Sequence, residues 1–289
     1  MRIAVLGATG VYGRHLLPRL ATSGHEVRAL VRTPATARVA AACGAEVFAA
    51  DIFDEGSLRA GVAGCELAIN LATSLPSPSS KSGDYAHNDR LRREGARNWV
   101  RACRSAGVQR ILQQSIAMIH AGGGDAWADE TTFFPRGDEG VASAASDAAR
   151  DMEATIGASD LDWTILRGAL FYGPGTGFDD DWFARARAGR LRLPAEGREY
   201  VSLVHIADMA AATIAAIERW PSRQALIIAD DHPATWRNVF EYVCAVSGSE
   251  SPQPGGRSLM PSFRVTNRRA RELLSWAPRF PDYRAGLAR

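Results

Sequence analysis

Met1–Arg14 reads MRIAVLGATGVYGR, and these fourteen residues decide the fold. Arg2 to Leu6 is a short apolar run rich in β-favouring residues. Gly7, Gly10 and Gly13 follow at a three-residue spacing, and His15 to Leu20 continue in the pattern of a helix. Strand, glycine turn and helix in that order open a dinucleotide-binding unit. Gly7 can take the positive φ of a tight turn. Gly10 lets the backbone come close to a pyrophosphate, and Gly13 lets the helix pack closely on the strand. The helix N-terminus offers free N–H groups and a partial positive charge to phosphates. Thr9, Val11 and Tyr12 lie between the glycines and complete the expected cofactor contacts of the turn. A glycine turn without a ligand is the alternative, and the context on both sides argues against it.

The totals set the bounds. A chain of 289 residues has room for one large domain with a smaller lobe, and 46% hydrophobic with 23% charged residues is ordinary for a globular protein. A net charge of +2 gives no reason to expect a nucleic-acid partner. Cys43, Cys65, Cys103 and Cys244 are scattered without metal spacing, so reduced thiols and no metal are expected. The first strand begins at residue 2 and no apolar run reaches the length of a membrane span. A cytoplasmic location away from membranes is the expectation. Lys81 is the only lysine, so 33 of the 34 basic residues are arginine.

Further along, Glu26 to Val31 is a second strand, with Arg32 at its end. About twenty residues past the glycines is where the ribose 2′ group is read. Arginine cannot accept from a 2′-hydroxyl but pairs with a 2′-phosphate, so Arg32 argues for NADP; Arg14 is a second candidate for the same phosphate. Thr36 to Cys43 reads as a helix and Glu46 to Ala49 as the third strand. Asp51 and Ile52 follow that strand and are expected at the adenine. The alternative for Asp51 is to cap the helix Glu55 to Val62. Glu66 to Leu71 is the fourth strand, with Leu71, Ala72 and Thr73 at the carboxyl end where open α/β sheets bind ligands. Residues 74–84 form a polar loop suited to a lid. Asn88 to Ala106 is a long amphipathic helix, Arg110 to Gln114 the fifth strand with Ser115 at its end, Ala142 to Gly157 a helix and Trp163 to Leu166 the sixth strand. Alternating strands and helices predict a Rossmann-type, doubly wound parallel sheet.

Five segments in order resemble the extended short-chain dehydrogenase/reductases, the superfamily that includes NAD-dependent epimerases and dehydratases. They are GATGVYG at Gly7, NLA at Asn70, LRGALFYGPG at Leu166, VHIADMA at Val204 and RARELLSWAPRF at Arg269. The resemblance implies a cofactor domain over residues 1–170, segments 200–230 returning to it, and a smaller C-terminal substrate lobe within 171–289. It implies a small-molecule substrate in the cleft between them, and homodimers through the helices flanking the fifth strand. It also implies a Ser or Thr after that strand and a YxxxK pair on the next helix. Ser115 matches the first position, but Ala145 and Ala149 stand where the tyrosine and lysine belong. A shift of register restores nothing, because Lys81 precedes the fifth strand and no tyrosine has a lysine four residues on.

Hydride delivery to a carbonyl still needs a proton for the developing alkoxide, and losing a general acid costs roughly 10²–10⁴-fold. Ser115, His120, Tyr172 and Tyr85 are the candidates to supply it, with water and the substrate itself as further sources. Asp129 and Glu130 match an acidic pair of the family's loop and are otherwise capping or solvated residues. The four arginines of residues 182–192 suit a diphosphate or an exposed helix face. His205 and Asp208 are expected to fix the lobe's connection. The expected function is an NADP(H)-dependent reductase of a carbonyl or conjugated double bond with a non-standard proton donor. An NAD(P)-dependent epimerase, isomerase or dehydratase and a non-catalytic NADP-binding sensor or scaffold are the alternatives.

Overall fold

A computed structural model of the chain describes residues 1–76, 83–134, 141–257 and 260–288. In β1 (Arg2–Leu6), Ile3 and Val5 enter one apolar core while Ala4 and Leu6 enter another on the opposite face. Successive side chains of a strand point to opposite faces, so an apolar run covered by helices on both sides is a central parallel strand. The glycine turn follows, then α1 (Val11–Thr22), β2 (Glu26–Val31), α2 (Arg38–Ala42), β3 (Glu46–Ala49), α3 (Glu55–Val62) and β4 (Leu67–Asn70). Next come α4 (Tyr85–Arg90), a π-helical turn at Leu91–Gly95, α5 (Ala96–Ser105), β5 (Arg110–Ile116), β6 (Trp127–Ala128), α6 (Val141–Gly157), β7 (Asp162–Gly168) and β8 (Leu170–Tyr172). The remainder contains α7 (Phe178–Arg187), β9 (Arg192–Pro194), β10 (Tyr200–Val201), β11 (Leu203–His205), α8 (Ile206–Arg219) and β12 (Gln224–Ile228). It closes with β13 (Ala234–Thr235), α9 (Trp236–Val246), β14 (Gln253–Gly256), β15 (Arg264–Val265), α10 (Arg268–Leu274) and α11 (Tyr283–Leu287).

Seven strands form one sheet in the order β12-β7-β5-β4-β1-β2-β3, and every pair is parallel. The chain winds outward from β1 to β3, then restarts at β4 on the other side of β1. That reversal opens a crevice between the carboxyl ends of β1 and β4, where doubly wound sheets take their ligands. The fold is of the Rossmann type, as the alternation predicts. In the C-terminal part of the chain, Trp182 on α7 packs with Trp236 and Phe240 on α9, at centroid distances of 5.2–5.9 Å.

Several local expectations are corrected. The helix placed at Asn88 begins at Tyr85, where Asp84 caps it through the Ala86 amide, and it carries the π turn in its middle. A Cβ on Gly95 in that turn would lie 2.6 Å from the Ile52 side chain, so the helix leans directly on the segment after β3. The expected helix from Thr36 shortens to one 3-10 turn followed by α2. At the C-terminus, α11 covers Tyr172 and buries Tyr283 and Leu287. Lys81 and most of the lid-like loop lie outside the described residues.

Candidate cofactor crevice and active site

The glycine turn has the shape its sequence requires. Gly7 sits at φ +82°, and a Cβ there would lie 2.7 Å from the Leu71 carbonyl carbon and 2.8 Å from the Ala72 nitrogen. The turn and the end of β4 therefore touch backbone to backbone, which only glycine permits. A Cβ on Gly13 would meet the Ala8 oxygen at 2.3 Å, so α1 starts flush against the turn. Gly10 occupies the N-cap with no side-chain cap, and no acidic residue stands in the first turn. The first-turn amides of α1 thus lack helical acceptors and complement an anion. Thr9 and Gly10 are exposed at this edge and Val11 is half-buried. The Tyr12 side chain turns the other way, its hydroxyl meeting Thr213 and its ring edge packing on Phe171. Of Tyr12, only the backbone belongs to the crevice.

Arg32 is exposed just past β2 and has no hydrogen-bond or ion-pair partner among the described residues. Arg14 is exposed on the first turns of α1, next to Gly175. The proposed cap role of Asp51 is corrected: Asp54 caps α3 through the Gly56 and Ser57 amides. One oxygen of Asp51 accepts from the Phe53 amide at 2.9 Å. Ile52 is buried, and its carbonyl accepts from Asn98. Leu71 is bonded to Leu6 across the β1–β4 junction, the Ala72 amide is held by Asn70, and Thr73 is exposed.

At the carboxyl end of β5, Ser115 pairs across the sheet with Arg167 of β7. Ser115 is buried, and its hydroxyl has no hydrogen-bond partner among the described residues. His120 is fully buried. Its Nδ1 lies 2.6 Å from the Thr132 carbonyl, and its Nε2 lies 3.2 Å from an Arg167 nitrogen. A carbonyl only accepts, so Nδ1 carries the hydrogen and Nε2 receives from the guanidinium. Burial holds this imidazole neutral, pushed down to about 4. Arg167 is itself paired with Glu153 at 2.7 Å, with both side chains about nine-tenths buried. Tyr172 is completely buried; its hydroxyl donates to the Asp282 carbonyl beneath α11, and its ring edge meets His205. Tyr85 is exposed at the start of α4. Ala145 and Ala149 are buried on α6, and the Ala145 carbonyl accepts from the buried Arg92. Burial lowers the Arg92 guanidinium to about 10.

The remaining expected residues resolve by contact. His205 accepts the Ala207 amide at the start of α8, and Asp208 accepts the Phe280 amide, so both hold the start of α8 in place. Glu130 accepts from the Ile227 amide of β12, and Asp129 holds Thr131 and Thr132. The α7 arginines lie on an exposed face: Arg185 pairs with Asp181, and Arg187 sits over Phe183. The Glu153–Arg167–His120 chain and the buried Arg92 are absent from the sequence reading. One signal for them exists, an arginine inside the apolar strand WTILRG, because a charge that falls in a core strand must find a partner. Among the described residues no helix is long and apolar enough to cross a membrane, and no cluster of three or more His, Cys, Asp or Glu is placed to hold a metal.

Comparisons with known proteins agree with this geometry. A family model described as NAD(P)H-binding matches residues 7–217. The chain is 32% identical to the 3-diazoavenalumate denitrifying reductase of a Streptomyces species, over the full length of both. It is 26% identical to the ceramide reductase of Caulobacter vibrioides over 88% of this chain and 74% of that protein. Among solved structures it resembles a human epimerase family protein with NADPH, at TM-score 0.80 and 22% identity, covering 99% of this chain and 98% of that one. It also resembles the UDP-glucose 4-epimerase of Thermotoga maritima, at TM-score 0.79 and 19% identity, covering 99% and 96%. At these identities the structural likeness concerns the fold alone.

Proposed function

This chain belongs to an NAD(P)H-binding family, and we propose that it is an NADP(H)-dependent reductase of the extended short-chain dehydrogenase/reductase kind, working without that superfamily's tyrosine–lysine relay. The family match and the reductases among its relatives support an NAD(P)-dependent oxidoreductase. The choice of NADP and the route of the proton are our reading. One observation carries it. The turn at Gly7 has the close backbone contacts its glycines require, while the acid–base positions hold buried alanines and two of the substitute groups, His120 and Tyr172, are committed to internal hydrogen bonds.

The chain's own residues fit a dinucleotide phosphate. The free first-turn amides at Val11–Gly13 would hold the pyrophosphate, Arg32 the 2′-phosphate, Asp51 and Ile52 the adenine, and Leu71–Thr73 the middle of the molecule. When bound in reduced form, this cofactor supplies a hydride. Ser115 has a buried hydroxyl with no partner among the described residues, which supports its donating a hydrogen bond to the acceptor atom of a substrate. A serine hydroxyl polarises better than it protonates, so for a carbonyl or conjugated double bond the proton comes from water.

A second acceptor class is favoured by the full-length relative named as a denitrifying reductase. An arenediazonium that receives hydride forms the arene C–H bond, breaks its C–N bond and expels dinitrogen. It takes up no proton, so a centre without a general acid suits it. The test follows NADPH oxidation with an aryl ketone, an enone and an arenediazonium, each against an enzyme-free control, for the wild type and Ser115→Ala. We expect the variant to lose at least roughly tenfold on the ketone and little on the diazonium. Bound NADPH that no acceptor oxidises would leave the sensor or scaffold alternative standing.

A further inference from the structure

We infer that Phe133 and Arg150 form a substrate subsite for a planar aromatic ring that carries an anionic group; the inference rests on the reductase reading above. Phe133 is the most exposed large hydrophobic residue described, at 52%. Its ring is nonetheless held. It stacks on the buried His120 ring at 5.0 Å between centroids and 29° between planes. His120 is fixed in turn by the Thr132 carbonyl and by Arg167. An aromatic ring backed by a rigid buried network and open elsewhere is a stacking platform, because its area is offered at little cost in side-chain entropy.

Arg150 supplies the charge. Its guanidinium lies 5.5 Å from the Phe133 centroid. One terminal nitrogen donates to the Ile119 carbonyl at 2.5 Å, while its buried Nε has no partner among the described residues. Arg167, also near this ring, is neutralised by Glu153, but Arg150 has no carboxylate within ion-pair distance among the described residues. A buried guanidinium donor without an acceptor calls for an anion. Arg167 pairs with Ser115 across the sheet and its guanidinium lies 5.8 Å from the Phe133 centroid, so the ring stands near the Ser115 end of β5. A nucleotide diphosphate fits less well, since Arg185 on α7 is already paired.

The test uses 2-naphthoate, its neutral amide 2-naphthamide, and cyclohexanecarboxylate as probes, titrated by calorimetry into the NADPH-loaded protein. The wild type is expected to bind 2-naphthoate at least roughly tenfold more tightly than either of the others. Phe133→Ala should weaken both naphthyl probes by about tenfold. Arg150→Gln should weaken 2-naphthoate by roughly 10–100-fold while leaving 2-naphthamide unchanged, and Arg150→Lys should recover part of the loss. That split between charged and neutral probes separates a lost contact from a misfolded variant. Equal binding of all three probes, or 2-naphthoate binding indifferent to both substitutions, overturns the subsite while NADPH still binds. Failure of the wild type to bind NADPH overturns the reductase reading instead.

Discussion

Replacing Glu153 with glutamine should destabilise the chain far more than an average polar substitution. The carboxylate receives three contacts from Arg167, at 2.7, 3.1 and 3.2 Å, and the two side chains are 10% and 8% exposed. Arg167 also donates to His120 and to the Glu130 carbonyl, at 3.2 and 3.3 Å. Glutamine keeps the shape and one acceptor oxygen but removes the counter-charge, leaving a guanidinium buried and uncompensated. Breaking a buried pair from one side costs about 3–5 kcal/mol. For a chain of this size that corresponds to a fall in Tm of roughly 6–20 °C. The double variant Glu153→Leu/Arg167→Met removes both charges. Such swaps are often neutral, so only the donors lost to His120 and to the Glu130 carbonyl remain, about 1 kcal/mol each. Thermal unfolding followed by circular dichroism should therefore place the double variant above the single one. A Glu153→Gln variant within about 2 °C of wild type, or a double variant no better than the single, would refute the buried network.

Other outcomes follow from the same geometry. Burial keeps His120 from protonating until about pH 4 in the folded chain, whereas an unfolded imidazole titrates near 6.5. The unfolded state then binds more protons between those values, so stability is lost as pH falls through that window, by about 3 kcal/mol for this group. Urea unfolding at several pH values should show a shallower pH dependence for His120→Gln than for wild type, and identical slopes would count against a buried neutral ring. Gly13→Ala puts a Cβ 2.3 Å from the Ala8 oxygen and must displace the start of α1. Its NADPH affinity should drop by at least roughly tenfold, and an unchanged affinity would detach the turn from the cofactor. Restoring the missing pair with Ala145→Tyr/Ala149→Lys should gain no ketone reduction, because both sites are buried and overpacking costs about 1–3 kcal/mol each. A variant with wild-type Tm and a large gain in rate would show that the space is open after all.

Much of the fold was legible because it rests on local signals. The glycine spacing fixed the turn, and continuous apolar runs such as RIAVL marked strands buried on both faces. The loss of the tyrosine–lysine pair needed only a count of lysines. What the sequence hid was long-range. Nothing local says that Glu153 and His120 meet at Arg167, or that Tyr172 lies beneath a helix more than a hundred residues away. Asp51 and Asp54 compete for one cap, and only the backbone angles at Asp54 decide it. The π turn at Leu91–Gly95 answers the close approach of Ile52, a tertiary contact that helical periodicity does not record.

Parallel titration of the chain with NADPH and NADH, for wild type and Arg32→Ala, bears most directly on the cofactor site at the glycine turn. We expect wild type to bind NADPH at least roughly tenfold more tightly than NADH, and Arg32→Ala to lose that margin by weakening NADPH alone. NADH binding as tight as NADPH, or neither cofactor binding below about millimolar, would contradict it.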